Sequence, residues 1–250
     1  MTTTLLALLP SVVGVVVLAA LATGVLLAFR VRGAWSPSTA ILRGALQLAI
    51  LSVILTGIIS SSIWIALALV VMFSVASTVA ARRIGWTIRT AGMTASSMAA
   101  GILISLTVVF TSGALQLTPR YALAIGAIVI GNSMSIATLT GRHFVSGTVD
   151  RWDEVEAWLA LGATPRQSTL EQARRAVREA LVPTIDQTKT TGLVVLPGAF
   201  VGAIFGGISP LEAGRFQLVV LASIMAAGAV TAVLTVLWLG PVKVKPTAVR

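Results

Sequence analysis

Seven windows of about 20 apolar residues, near residues 8–29, 41–60, 63–80, 92–111, 121–140, 190–208 and 217–239, leave this chain few ways to fold. Each is long enough to cross a hydrocarbon core of about 30 Å as a helix, which satisfies its backbone hydrogen bonds within the segment. Windows 8–29 and 217–239 carry no charged residue, whereas helices of a soluble protein need a polar face. The chain therefore reads as an all-α polytopic membrane protein with about seven transmembrane helices, and a mean hydropathy of +0.97 agrees. The first 29 residues lack the basic flank of a cleavable signal and read as a helix that stays. There is no cysteine, which excludes disulfides and thiolate metal sites.

The connectors give these helices a direction. Arg30, Arg32, Arg43, Arg82, Arg83, Arg89, the block 141–189, Lys243, Lys245 and Arg250 fall on one side, and of the 18 basic residues only Arg120 and Arg215 fall on the other. Basic residues stay with the cytoplasm, so the N-terminus is expected outside and the C-terminus inside a plasma (inner) membrane. The formal net charge of +10 follows from these dispersed membrane-edge residues. A nucleic-acid surface would gather them on one folded face, so no nucleic-acid partner is expected.

One block is built for water. Residues 150–198 hold every acidic residue except Glu212. Trp152, Val155 and Leu159 form an apolar helical face opposite Asp153, Glu154 and Glu156, and Gly162 is placed to end that helix in a left-handed cap. Thr164, Pro165 and Gln167 then supply an N-cap hydroxyl, a first-turn proline and a capping-box partner for a second helix. That helix is expected to bury Leu170, Ala173, Val177 and Leu181 and to end or kink at Pro183. The whole reads as one transmembrane domain over residues 1–250 carrying a pair of cytoplasmic helices at about 150–183.

Polar residues inside membrane spans cost free energy and tend to face a partner helix or a cavity. Gln47 lies in the second window. Asn132, Ser133, Met134, Ser135, Thr138 and Thr140 cluster late in the fifth, where hydroxyls can also bond to the preceding turn. Asp186 and Lys189 open the sixth and are spaced to pair on one helix face. Asn132, Ser133, Asp186 and Lys189 are therefore expected to line a cytoplasm-facing cavity between the fifth and sixth spans. Pro197 should bend the sixth helix, and Gly198, Gly202 and Gly206 form a smooth stripe for close helix packing or a hinge.

No catalytic role is assigned to any residue. HExxH and GxSxG are absent, none of the lysines stands in a phosphate-binding loop, and His143 is the one histidine. If ATP is used, another chain must bind it.

The runs LGATPRQ at 161–167, REALVPTIDQTKTTGLVVLPG at 178–198, GGISPLEAGRFQLVV at 206–220, IGNSMSIATLTGRHF at 130–144 and RGALQLAI at 43–50 resemble, in order and over most of the chain, the FetB-type permeases of ABC transporters. That family includes bacterial iron exporters and plant aluminium-tolerance permeases. The resemblance implies a membrane permease subunit, a homodimer paired with cytoplasmic ATP-binding subunits that hold ATP and Mg2+, exporting iron, another metal ion or a small solute. It also implies that Glu154, Glu156, Gly162, Ala163, Thr164 and Pro165 couple to the ATPase. Glu156, Ala157 and Gly162 have the spacing of the importer EAA motif, but Trp158 replaces its second alanine. Ala199 and Phe200 stand where the family often has methionines, which removes one soft contact for a metal. Two other readings remain at this stage: an ATPase-driven regulatory protein that moves no substrate, and an ion-coupled secondary transporter built on Asp186 and Lys189.

Overall fold

The computed structural model describes residues 2–58 and 62–246 and divides into two compact units, Met1–Ser60 and Ser61–Arg250. Of the residues named so far, Met1, Ser60, Ser61 and Arg250 lie outside the described residues. The first unit is a helical hairpin of α1 (Thr2–Ala28) and α2 (Ser36–Ile58). Its turn needs left-handed backbone at Arg30 (φ 56°) and Gly33 (φ 80°). The Thr23 and Ser38 hydroxyls meet at 2.6 Å, and Ser38 also donates to the Ala19 carbonyl at 3.2 Å. Outward lie Leu18, Leu21, Val25, Leu42 and Leu46, all exposed, as on a surface meant for lipid.

The second unit holds α3 (Ser62–Ile84), α4 (Ile88–Thr111), α5 (Pro119–Asp150), α6 (Trp152–Ala160), α7 (Pro165–Ser168), α8 (Leu170–Thr190), α9 (Gly198–Phe205) and α10 (Pro210–Leu239). Helix starts follow local chemistry. Thr87, Thr118 and Ser209 each accept a backbone N–H at an N-cap, and Pro119 and Pro210 take the first helical position, where a missing N–H costs nothing. Among the described residues α1, α3, α4, α5 and α10 are long and apolar enough to cross a membrane.

α10 packs against α4 and α5, and α5 also against α3, around Met98, Ile125, Val129, Val220 and Ala227. Small residues let these backbones approach. A Cβ on Gly101 would run into the Ala227 carbonyl, and one on Gly228 would strike Ile136. Buried hydroxyls tie the same helices together: Ser105 donates to the Ser223 carbonyl at 3.0 Å and Thr94 to the Ser77 carbonyl at 3.2 Å.

The window at 190–208 is not one helix, which corrects the expected sixth span. α8 ends at Thr190, Thr191 is extended (ψ 130°), Gly192 is left-handed (φ +89°), and the chain resumes helix only after Pro197. Proline forces its preceding residue out of helical conformation, and the eight residues of α9 reach only about 12 Å. Pro183, expected to end or kink the second water-facing helix, sits inside α8, which runs on through seven further residues to Thr190. Asp186 and Lys189 consequently occupy the last turns of α8 instead of opening a hydrophobic span.

Candidate functional site

Three places gather polar side chains, and each starts from a local rule. At the junction of α6 and α7, the Ala163 N–H bonds the Trp158 carbonyl and Gly162 takes φ +88°, closing α6 with the left-handed residue its glycine permits. The capping box of α7 is complete: Gln167 Oε1 accepts the Thr164 N–H at 2.8 Å, while the Gln167 N–H donates to Thr164 Oγ1 at 3.4 Å. Thr169 then separates α7 from α8, and its buried hydroxyl donates to the Gly240 carbonyl at 2.8 Å, fastening the turn to the end of α10. Val155 is fully buried, yet Trp158 on the same helix and Leu161 at its C-cap are exposed. They border a groove of about 740 Å³ with Glu154, Gly162, Ala163 and Gln167. Glu154 pairs with Arg151 at 3.7 Å; Glu156 is exposed and outside this groove.

On α5, polarity is largely consumed by the helix itself. Asn132 Nδ2 donates to the Ile128 carbonyl at 2.9 Å, Ser135 to Gly131 at 3.3 Å and Thr138 to Met134 at 2.8 Å. Ser133 and Thr140 are buried with no partner for their hydroxyl oxygens, and Met134 packs against the apolar core. Gln47 belongs to the first unit, where it is exposed on α2.

The third place is α8. Ala173, Ala176 and Ala180 are buried where α8 lies against α5 and α10. Its opposite face is exposed through Glu171, Arg174, Arg175, Arg178, Asp186 and Lys189. Lys189 Nζ lies 3.3 Å from Asp186 Oδ1, with both side chains more than half exposed. Ser133 is sealed and Asp186 is open, so the expected four-residue cluster is not gathered on one surface. A different cluster appears instead. His143 Nδ1 sits 3.2 Å from Glu179 Oε2, and Arg175 Nε donates to Glu179 Oε1 at 2.8 Å. Asp150, Arg151, Glu171 and Gln172 continue the lining of this 330 Å³ cavity between α5 and α8. The spacing of Arg175 and Glu179 could have signalled their pair; nothing in the sequence brings His143 to it. No group of three or more His, Cys, Asp or Glu able to hold a metal occurs among the described residues.

The glycine stripe is split. Gly198 and Gly202 lie on α9, where an added Cβ would meet nothing within 4 Å, while Gly206 is already the C-cap. No residue of α9 is buried, so Pro197 starts a short helix and does not hinge a long one.

The model of the "Uncharacterised protein family (UPF0014)" matches residues 9–241, which takes in all of these places. The chain belongs to the UPF0014 family. Relatives include the "UPF0014 membrane protein STAR2" of Oryza sativa subsp. japonica, 37% identical over 198 residues, covering 78% of this chain and 70% of the relative. "Protein ALUMINUM SENSITIVE 3" of Arabidopsis thaliana is 37% identical over 193 residues, covering 76% and 71%. "Probable iron export permease protein FetB" of Escherichia coli (strain K12) is 36% identical over 120 residues, covering 48% and 46%. No solved structure matches this UPF0014 chain.

Proposed function

We propose that this UPF0014 protein is the membrane permease subunit of an ABC transporter that exports a metal ion or small solute, with ATP and Mg2+ bound and hydrolysed by a separate cytoplasmic subunit. The observation that carries the reading is the α6–α7 turn. A membrane helix bundle needs no rigid, capped, glycine-closed turn with Trp158 and Leu161 left uncovered, but a partner that must push on the bundle does. Exposed aromatic and aliphatic anchors beside a groove are what such a partner grips. The bond from Thr169 to the end of α10 would carry its movement into the spans. Arg89, Trp238 and Lys243 border one cavity, so the basic ends of α4 and α10 lie together, as residues at a cytoplasmic face would. This supports a C-terminus on the cytoplasmic side of the plasma membrane; an N-terminus outside rests on the basic connectors of the sequence. The name of the Escherichia coli relative, an iron export permease, supports export of iron, with the metal as cargo and not as a resident ion.

The test is co-expression with a candidate ATP-binding subunit, followed by pull-down and ATPase assay in sealed vesicles. The intact pair should co-purify and hydrolyse ATP faster when cargo is added. Cargo-independent hydrolysis would favour a regulatory role without transport, and transport without ATP a secondary transporter. Gly162→Val should lose both recovery and stimulation, because a β-branched residue is strongly disfavoured at positive φ. Equal recovery and stimulation would remove the turn from the mechanism.

A further inference from the structure

The end of α10 is flanked by basic side chains that nothing around them neutralises. A groove of about 320 Å³ between α8 and α10 is lined by Arg166 and Arg174 together with Val177, Val233, Val236 and Leu237. A neighbouring groove of about 520 Å³ is lined by Arg89 and Lys243 with Trp238. No acidic residue lines either groove. Among the described residues, none of these four cations takes part in an ion pair. Glu171, one turn before Arg174, lines the cavity toward α5 and not the groove beside α10.

An unpaired arginine on a water-facing surface is ordinary, but this pair adjoins a membrane surface. Val233 and Leu237 are 45% and 48% exposed on a helix long and apolar enough to cross a membrane. The Arg166 stem lies over the end of α10, its Cγ 3.9 Å from where a Cβ on Gly240 would sit. From Gly240 back to Val233 is about 10 Å along the helix. Trp238 is half exposed between the two, and tryptophan favours the depth of the lipid headgroups. The arginines therefore sit at headgroup depth, with the apolar residues below them at the depth of the acyl chains.

This order of charge and apolar surface selects the occupant. A soluble anion would use the arginines and leave Val233 and Leu237 uncovered. A zwitterionic lipid carries its own cation, which a groove without a carboxylate cannot match. An anionic lipid brings a phosphate suited to bidentate arginine bonds and an apolar chain, and basic pockets between membrane helices on the cytoplasmic side hold such headgroups. Thr169, which fastens the α7–α8 junction to Gly240, lines the same groove, so a lipid seated there would brace that joint.

We propose that the groove between α8 and the end of α10 binds one anionic phospholipid of the cytoplasmic leaflet, its phosphate held by Arg166 and Arg174 and an acyl chain lying along Val233 and Leu237. The inference goes beyond the permease reading and does not depend on it, since neither cargo nor an ATP-binding subunit enters its test. Native mass spectrometry of the purified full chain should show dioleoylphosphatidylglycerol retained in preference to dioleoylphosphatidylcholine. Arg166→Gln with Arg174→Gln should weaken that retention about 30-fold, the effect of two basic residues at a membrane surface. Arg82→Gln with Arg83→Gln, an equal loss of charge at the end of α3, should leave it unchanged. Val233→Phe, which keeps both arginines and fills the groove, should also displace the lipid, and inorganic phosphate should not compete. In nanodiscs, adding phosphatidylglycerol to phosphatidylcholine should raise the melting temperature of the unmodified protein and not that of the Arg166/Arg174 double variant. Equal retention of the two lipids, or equal loss in the two double variants, overturns the site. Competition by phosphate with Val233→Phe unaffected overturns the lipid as its occupant.

Discussion

α3 and α8 both pack against α5, along different stripes of it, and they turn opposite kinds of surface outward. α3 meets α5 through Leu69 over Gly126 and Ile84 over Gly141, and exposes Leu67, Val70, Val71 and Val75. Its exposed Ser74 satisfies itself by donating to the Val70 carbonyl at 2.8 Å. α8 meets α5 through His143 and Glu179, buries small alanines, and exposes arginines, an aspartate and a lysine. Hydrocarbon accepts the first surface and rejects the second, so two helices packed on one neighbour report two different surroundings.

The strongest way to break this comparison is to exchange the surfaces. Val71→Arg places a charge on a lipid-facing position, at a cost of about 2.5–3.5 kcal/mol on insertion scales near a helix centre. The expected result is loss of most membrane-inserted protein, read by fluorescence-detected size exclusion of detergent extracts. Arg178→Leu should leave insertion and dispersity unchanged while lowering vesicle transport with the ATPase partner present. If Val71→Arg inserts normally, or if Arg178→Leu collapses expression as Val71→Arg should, the two faces are not what the comparison makes them.

That contrast also explains what was legible beforehand. α1, α3, α4, α5 and α10 announce themselves because their apolar residues run all round, and the Gly162 to Gln167 turn is readable because capping chemistry is local. In the sequence α8 reads as a cytoplasmic-side helix because its arginines outweigh its alanines in hydropathy, whereas the apolar run after it reads as a span and is not one helix. What the sequence does not show is how α8 is seated: burial of its alanines by α5 and α10 is a tertiary property, so a helix half covered by protein can carry charges that a lipid-covered helix cannot. The cluster of His143, Arg175 and Glu179 was hidden for the same reason, its members being brought together by helix packing alone. Gly198, Gly202 and Gly206 share helical spacing, but Gly192 and Pro197 had already cut the helix that would make the stripe long.

A smaller effect sharpens the inner side of the comparison. Ala180 is 1% exposed on the face of α8 that meets its neighbours, whereas Val182 on the outer face is 43% exposed. Ala180→Leu should overpack the contact and destabilise by about 1–3 kcal/mol. Val182→Leu should be near neutral. Thermal unfolding in detergent distinguishes them, and equal melting temperatures would mean that α8 is not seated as described.

The smallest structural effect belongs to the pair at the C-terminal end of α8. Asp186 and Lys189 are three residues apart, 3.3 Å at closest approach and 61% and 69% exposed, a geometry that contributes little to stability. Neutralising either should barely move the melting temperature, so a change in transport would not be a loss of fold. For a cation cargo, Asp186 is the attractive group and Lys189 the repulsive one: Asp186→Asn should lower transport, and Lys189→Gln should spare or raise it. Raising ionic strength should weaken both effects if the pair faces water, because exposed charges are screened within about 10 Å at 0.1 M salt. Loss in both variants with a lowered melting temperature would turn the pair into a structural one. An opposite sign, with Lys189→Gln the damaging change, would exclude a bare cation and require an anionic or chelated cargo.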